Sequence, residues 1–169
     1  MTLDETRNEK TIDTWQTPAW YLNRVRAIDP IGLDPCTTAD NPTKAANFCA
    51  PPWDGLARVW SGLGLVFVNP PYGKSLEAWS KKIFWEAVRG SELVVLVPAR
   101  PDTRWFDRLD RVAAARCFHD KRIRFVHPET GIEAKAPKFP NCTFYFGGRT
   151  ERFRQAFSDC GRIYAGSPL

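Results

Sequence analysis

Continuous apolar runs alternate with segments whose apolar residues have helical spacing along the first two thirds of the chain. Residues 65–68 and 93–97 are uninterrupted apolar segments, which is typical of strands buried on both faces of a sheet. Between them, apolar positions 76, 79, 83, 84 and 87 follow the spacing of one helical face, and Gly90 marks the end of that helix. Residues 31–34 predict a shorter strand that ends at a proline. This alternation favours an α/β sheet with parallel strands at its centre.

The sequence also indicates where helices begin and end. Thr17 and Pro18 are predicted to open the first helix, with Thr17 as its N-cap and Pro18 as its first residue. That helix is predicted to stop before Asp29, because the residue before a proline is disfavoured in the helical conformation. Ser75 is predicted to cap the next helix, and Asp102 or Thr103 to cap the one after it. A last helix is predicted at residues 151–157.

The remaining segments are less regular. Short strands are predicted around residues 114–118, 122–126 and 142–146. Residues 36–62 form a long segment with prolines at 42, 51 and 52. A loop of this length in a compact domain is usually functional, so we expect this segment to contribute to the site.

Length and composition favour one globular domain. The chain has 169 residues, of which 43% are hydrophobic and 13% aromatic, enough for a substantial core. Residues 1–14 are polar and are predicted to be a flexible tail, which leaves residues 15–169 as a single domain. No apolar run reaches the length of a membrane span, and the N-terminus lacks the apolar stretch of a signal peptide. These features predict a cytoplasmic protein.

Cysteine and histidine usage argues against a metal site or a disulfide framework. The five cysteines are odd in number and never occur in a CxxC spacing, and the chain has two histidines. A structural zinc site needs closely spaced ligand pairs, which this sequence lacks. We therefore expect reduced cysteines that serve mainly in packing, and no bound metal.

Positive charge is concentrated in the second half of the chain. The formal net charge is +5, and residues 86–169 hold fifteen Lys and Arg against ten Asp and Glu, whereas residues 1–85 hold nine of each. Between Arg100 and Arg124, eight basic residues accompany four acidic ones. An Arg-rich segment suits phosphate and base-edge contacts, but a solvated helix face with ion pairs has the same composition. Charge alone therefore leaves nucleic-acid binding open.

The most informative motif, Asn69-Pro70-Pro71-Tyr72, directly follows the strand predicted at 65–68. Its two prolines fix the backbone and remove two N–H donors, so the neighbouring carbonyls are held as acceptors. The Asn69 side chain offers a further acceptor oxygen, and Tyr72 offers a flat apolar ring. Such a site holds a planar amine with an aromatic ring beneath the attached heterocycle. An amino group on adenine, on cytosine or on a planar amide fits this description.

Two other predicted strands also end in unusual sequences. These are Asp34-Pro35-Cys36 and Pro98-Ala99-Arg100. Ligands of open α/β sheets bind beyond the carboxyl ends of the strands. The three strand ends are therefore candidates for one ligand site.

Taken with its neighbours, the Asn-Pro-Pro-Tyr motif resembles that of S-adenosylmethionine-dependent amino-methyltransferases, and the wider pattern looks like the phage-type, Dam-like DNA adenine-N6 methyltransferases. The resemblance covers most of residues 15–146 in order and spacing, and it implies a compact Rossmann-like class I methyltransferase fold with a mixed, mostly parallel sheet flanked by helices. The matching segments are 15–18, 33–36, 54–56, 66–73, 94–100, 102–106 and 122–125.

For the reaction, the resemblance implies that a target adenine is flipped out of double-stranded DNA into the pocket. Tyr72 would stack on the base, while the Asn69 side chain and the Pro70 carbonyl would accept hydrogen bonds from its exocyclic amine, with Pro71 completing the catalytic motif. The amine nitrogen would then attack the sulfonium methyl group in line. Positioning and electrostatics would do most of the catalysis, without a metal.

For the cofactor, the resemblance implies that Asp34 meets the methionine ammonium of S-adenosylmethionine, and that Thr17 and Pro18 pack beside it. The other predicted cofactor-binding residues are Trp15, Cys36 and Asp54. The predicted DNA-binding residues are Lys74, Arg100, Arg104, Arg122 and Arg124.

The sequence departs from the general methyltransferase pattern at two points. Thr37-Thr38-Ala39-Asp40 stands where a glycine-rich loop normally follows the first strand, and no insertion is large enough for a separate target-recognition domain. Short or degenerate sequence specificity is therefore predicted. The leading prediction is a DNA adenine methyltransferase encoded by a phage or prophage. The alternatives are a DNA-binding protein that keeps the fold without activity, and an amino-methyltransferase of RNA, cytosine or protein glutamine.

Overall fold

Four helices and seven strands make up the part of the chain that a computed structural model describes, residues 15–135 and 139–166. The tail predicted at 1–14 lies outside the described residues. In chain order the elements are α1 (Ala19–Ile28), β1 (Ile31–Asp34), β2 (Asn47–Phe48), β3 (Leu65–Val68), α2 (Leu76–Val88), β4 (Leu93–Pro98), α3 (Arg104–Asp110), β5 (Ala115–His119), β6 (Asn141–Phe146), α4 (Thr150–Phe157) and β7 (Gly161–Ala165).

The seven strands form one mixed sheet in the order β2-β1-β3-β4-β6-β5-β7. The strands β2, β1, β3 and β4 are parallel to one another. The strand β6 is antiparallel to both β4 and β5, and β7 is antiparallel to β5. The predicted α/β fold class is confirmed, with a parallel half and an antiparallel half. The carboxyl ends of β1, β3 and β4 meet at one side, which we call the carboxyl edge.

Helices cover both faces of this sheet, which explains the continuous apolar runs of its central strands. Alternate residues of β4 enter two different cores: Val94 and Leu96 pack with residues of α1 and α4, whereas Val95 and Val97 pack with residues of α2 and α3. Because both sets are fully buried, no position of β4 needs to be polar.

Most predicted elements are confirmed within one or two residues. The strands predicted at 31–34 and 65–68 match β1 and β3, and the helix predicted at 151–157 matches α4. Thr103 caps α3, with its hydroxyl oxygen accepting from the Phe106 amide at 3.4 Å. Two strands, β2 and β7, were not predicted. The first has two residues, and the second carries mostly exposed or half-buried side chains, so neither has an apolar signature.

Two helix-capping predictions are wrong. The helix α1 begins at Ala19, with Pro18 in an extended conformation at the N-cap position and no side-chain capping bond. The Thr17 hydroxyl instead contacts the Asn69 side chain. Ser75 precedes α2 without capping it, because its hydroxyl donates to the Pro71 carbonyl at 3.0 Å. In both cases the hydroxyl is used by the Asn-Pro-Pro-Tyr turn.

The strand predicted at 122–126 is also wrong. This segment is extended but lies outside the sheet. Val126 forms isolated β-bridges with Gln16 and with Glu133. Its alternating pattern is real: Ile123 is buried while Arg122 and Arg124 are exposed. The alternation does not lead to a strand because Ile123 packs into the core while the backbone at Val126 pairs with Gln16 and Glu133 through isolated bridges, not with a strand of the sheet.

Candidate active site

The Asn-Pro-Pro-Tyr turn lies at the carboxyl edge, directly after β3, and is held by contacts from β1 and α2. The Cys36 thiol donates to the main-chain carbonyl of Asn69, with the sulfur 3.4 Å from the oxygen. The Pro71 carbonyl accepts the Ser75 hydroxyl. Pro70 is buried. Because the prolines themselves cannot donate, these neighbouring groups define the path of the turn.

The side chain of Asn69 has one satisfied end and one unsatisfied end. Its Nδ2 donates to Thr17 Oγ1 at 3.1 Å, whereas its Oδ1 is buried and has no hydrogen-bond partner. Within residues 15–135 and 139–166 only one other buried side-chain polar atom lacks a partner, the Nε of Arg116. Such atoms are rare in folded proteins because leaving one unpaired is costly. The Asn69 oxygen is therefore an acceptor open to a donor from a ligand.

The ring of Tyr72 is held by the extended segment 122–126. Phe125 meets it edge to face, with the ring centroids 6.1 Å apart. The Tyr72 hydroxyl lies 3.5 Å from Nδ2 of Asn141, whose Oδ1 accepts the Ile123 amide at 3.3 Å. Burial raises the pKa of Tyr72 well above its usual range, so the phenol stays neutral. A neutral, positioned aromatic ring beside two acceptors suits stacking on a heterocycle.

Asp34 is a buried carboxylate at the end of β1, with 3% of its surface exposed. Burial raises its pKa to about 6, although hydrogen bonds from the Cys36 amide and from the hydroxyls of Thr43 and Thr37 favour the charged form. No cationic side chain of the described chain contributes to its titration. A carboxylate that is buried without a counter-ion is poised to bind a cation from a ligand.

The loop that follows β2 closes against the end of β1. A Cβ atom on Gly55 would lie 1.8 Å from the Pro35 carbonyl oxygen, so only glycine allows this approach. The loop is anchored from inside by Trp60, whose indole donates to the Gly55 carbonyl at 2.9 Å. Asp54 is exposed and accepts the Leu56 amide at 2.9 Å within its own turn. The neighbouring Trp53 is 78% exposed.

The segment 15–18 crosses the carboxyl edge. Gln16 exchanges two main-chain hydrogen bonds with Val126, at 2.8 and 2.9 Å, and Trp15 packs edge to face on His127 with centroids 5.4 Å apart. Thr17 and Pro18 are buried. The segment thus contacts the Asn-Pro-Pro-Tyr turn through Thr17 and the segment 122–126 through Gln16.

Several of the predicted site residues come together, although they are far apart in sequence. Contacts join Asp34 to Cys36, Cys36 to Asn69, and Asn69 to Thr17. Asp54 is brought near them through Gly55, but its carboxylate faces its own turn. Trp15 contacts His127 rather than the motif.

Several arginines of the basic segment form ion pairs. Arg108 pairs with Glu77 at 2.8 Å, Arg111 with Asp107 at 2.8 Å, and Arg116 with Asp110. The Arg100 guanidinium lies 5.3 Å from the centroid of the Phe139 ring. The five residues predicted to bind DNA are all exposed: Lys74, Arg100, Arg104, Arg122 and Arg124.

Sequence reasoning missed Asn141, which links Tyr72 to the extended segment. The available signal was one polar residue at the start of an otherwise apolar strand, directly after Pro140. It also missed Thr37 and Thr43, whose hydroxyls act on Asp34. Hydroxyl residues in a long loop have many possible roles, so no pattern distinguished them.

Two further properties of the described chain bear on function. No group of three or more His, Cys, Asp or Glu among the described residues is arranged to hold a metal ion. None of the helices in the described ranges is long and apolar enough to cross a membrane.

The fold is that of the Rossmann-like methyltransferases, and the unpaired acceptor and the buried carboxylate at this edge are compatible with an amine and with a cationic group. Comparison of the sequence with known protein families identifies the family. The family model described as DNA N-6-adenine-methyltransferase (Dam) matches residues 4–158, and the chain belongs to this family. It is accordingly an enzyme that methylates the N6 amine of adenine in DNA.

A curated relative agrees with this assignment. The chain is 30% identical over 137 residues to a DNA N-6-adenine-methyltransferase of Haemophilus phage HP1 (strain HP1c1). The matched region covers 79% of this chain and 78% of the relative. The similarity therefore extends over most of both proteins rather than over one motif.

Proposed function

We propose that the carboxyl edge of β1 and β3 is the active site, where a methyl group passes from S-adenosylmethionine to an adenine flipped out of double-stranded DNA. The proposal depends chiefly on one observation, the buried Asn69 oxygen that has no partner in the described chain. A flipped adenine brings an N–H donor that this oxygen lacks. Flipping is necessary because the amine is otherwise paired inside the duplex.

The cofactor proposal rests on the chemistry of Asp34. A methionine ammonium would supply the counter-ion that this buried carboxylate lacks within residues 15–135 and 139–166, so the residues fit the group. When bound, S-adenosylmethionine supplies an electrophilic methyl group on a sulfonium sulfur. Asp34 orients the ammonium end. The other residues proposed to line the cofactor are Trp15, Thr17, Pro18, Cys36 and Asp54.

In the proposed mechanism the residues of the turn each have one task. Asn69 Oδ1 and the Pro70 carbonyl accept the two N–H groups of the adenine amine, which favours a lone pair directed out of the ring plane. Tyr72 stacks on the base and holds its plane. Pro71 keeps the turn rigid. These residues contribute positioning and electrostatics, and none of them forms a covalent bond with the base.

The exposed basic residues are proposed to contact phosphates, namely Lys74, Arg100, Arg104, Arg122 and Arg124. Three of them follow β3 or β4 closely in sequence, and the other two lie on the segment that packs on Tyr72. We further propose that residues 15–169 act as one domain without a separate target-recognition domain, so that loops read a short site. The phage relative supports a phage or prophage origin and action in the host cytoplasm.

A methyl-transfer assay tests the proposed function. The enzyme is incubated with methyl-labelled S-adenosylmethionine and unmethylated duplex DNA, and the product nucleosides are separated. We expect label in N6-methyldeoxyadenosine for the wild type, and a loss of about 100- to 1,000-fold in Asn69→Ala, the scale for one catalytic polar group. The unfolding temperature should change little, because the substitution removes one unsatisfied buried atom together with one hydrogen bond, that to Thr17.

The outcomes separate the alternatives. Label in methylcytosine, or transfer to RNA or a glutamine-containing protein only, would contradict the proposed substrate. Cofactor binding without transfer to any of these would favour a DNA-binding protein that has lost activity. Full transfer by Asn69→Ala would contradict the acceptor role.

A further inference from the structure

The Asn69 amide is held at one end only. Its Nδ2 donates to the Thr17 hydroxyl, while Oδ1, on the same rigid planar group, is buried and has no partner among the described residues. A partner at this end therefore fixes the position and the plane of the amide group, and with them the place of its free end. We propose that Thr17 is a positioning residue for methyl transfer: its hydroxyl accepts from Asn69 Nδ2 and thereby aims Oδ1 at the adenine amine. This inference rests on the proposed role of Asn69.

Thr17 is itself well placed to act as a fixed reference. It is 8% exposed, and the preceding Gln16 is held by two main-chain bonds to Val126 and by a side-chain bond to Asp40 at 2.9 Å. Its hydroxyl is not engaged in capping, because α1 has no side-chain cap. The position of Thr17 therefore depends on the surrounding loops rather than on Asn69.

The Thr17 hydroxyl matters because one end of the Asn69 amide must donate to it while the other end accepts from the adenine amine. A hydroxyl can donate or accept, so alone it does not select the orientation of the amide. The adenine amine is a donor, so the end of the Asn69 amide that faces it must be the acceptor Oδ1. Nδ2 then faces Thr17, whose hydroxyl accepts its hydrogen bond. Without that hydroxyl, the productive orientation leaves Nδ2 buried and unpaired, so the amide turns or shifts. The loss then falls on the transfer step and not on cofactor binding.

Substitution at Thr17 tests this directly. Thr17→Val keeps the shape without the hydroxyl, and we expect kcat to fall about tenfold to a hundredfold, as for small displacements of reacting groups. The Kd values for S-adenosylmethionine and DNA should change less than about twofold. Thr17→Ser should restore most of kcat. Thr150→Val, at the start of α4 on the opposite edge of the sheet, is the matched control and should leave kcat unchanged.

A second readout does not depend on activity. In NMR spectra of the cofactor-free protein, the side-chain amide resonances of Asn69 report its hydrogen bond to Thr17. They are assigned by their absence from the spectrum of Asn69→Ala. They should shift in Thr17→Val and stay near the wild-type position in Thr17→Ser.

The possible failures are distinguishable. Wild-type kcat with a raised cofactor Kd in Thr17→Val would overturn the inference and leave Thr17 as a cofactor contact only. Equal losses in the Val and Ser variants would also overturn it, because shape rather than the hydroxyl would be responsible. If Asn69→Ala transfers methyl groups normally, the proposed function of Asn69 fails, while the resonance measurement still tests the contact.

Discussion

The polar groups at the two ends of the central strands are hydrogen-bonded in opposite ways. Opposite the carboxyl edge, Glu92 accepts from Nε of Arg149 at 3.0 and 3.1 Å and from the Tyr145 hydroxyl, and Arg149 also pairs with Asp29 at 2.9 Å. At the carboxyl edge, Asp34 has no counter-ion in the described chain and the Asn69 oxygen has no partner there. Polar groups that satisfy one another stabilise the fold, whereas those left open mark where a ligand is expected.

The largest expected effect comes from the open carboxylate. We expect Asp34→Asn, which keeps the shape and one acceptor oxygen, to weaken S-adenosylmethionine binding about 100-fold at pH 7.5, as for the loss of a buried charge pair. In the wild type, Kd should rise about tenfold per pH unit below pH 6 and be flat above pH 7, because binding needs the charged form. Calorimetric titration with S-adenosylmethionine between about pH 5 and pH 8 measures the Kd of the variant and the pH dependence of the wild-type Kd.

The same variant should be more stable than the wild type without ligand. The raised pKa of Asp34 means that its ionisation opposes folding, so this cost appears as the pH rises from about 4 to 6 and is absent below it. Asp34→Asn should therefore raise the free energy of unfolding by up to about 3 kcal/mol at pH 7.5 and leave it unchanged near pH 4. Unchanged cofactor affinity would contradict the role given to Asp34.

Tyr72 tests whether the ring or its hydroxyl is used. Tyr72→Ala should lower the rate of transfer by about tenfold to a hundredfold, the scale for losing one base-stacking contact. Tyr72→Phe should cost less than about threefold, because the hydroxyl has a single long contact to Asn141. Single-turnover rates of the two variants give the comparison, and equal losses would assign the function to the hydroxyl.

Substitutions in the Glu92–Arg149 cluster, opposite the carboxyl edge, should lower the stability of the protein and leave catalysis unchanged. Glu92→Ala leaves Arg149 and the Tyr145 hydroxyl without their shared acceptor, so we expect a loss of about 1–2 kcal/mol in the free energy of unfolding. Chemical denaturation measures it, with kcat unchanged. Glu151→Ala removes an exposed ion pair at 3.9 Å and should be neutral. A catalytic defect in Glu92→Ala would remove the distinction between the two ends of the central strands.

The smallest effect is expected from the exposed arginines beside Tyr72. Replacing Arg122 and Arg124 together with Ala should weaken DNA binding severalfold and lower the slope of log K against log salt by about two. Arg89, exposed at the end of α2, is the matched control. Binding titrations at several salt concentrations decide this, and an unchanged slope would locate the phosphate contacts elsewhere.

Local signals in the sequence predicted the central fold well. Continuous apolar runs, helical spacing and proline or glycine boundaries indicated β1, β3, β4 and α2, because burial on both faces leaves a plain one-dimensional pattern. The extended segment 122–126 shows where such patterns fail. Its alternation reflects one buried side, and a strand also needs a neighbouring strand to pair with, whereas this segment pairs with loop residues through isolated bridges.

The sequence by itself determined the fold class, the Asn-Pro-Pro-Tyr turn after a buried strand, and the residue types needed to hold an amine, since these depend on neighbours along the chain. Only the tertiary structure decided which polar atoms remain open. Thr17 and Asn69 are 52 positions apart, and the contact between Tyr72 and Asn141 spans 69. Hydrogen bonding and desolvation depend on all groups packed around an atom. The Asn69 oxygen without a partner and the Asp34 carboxylate without a counter-ion, both within the described residues, are therefore properties of the packed molecule.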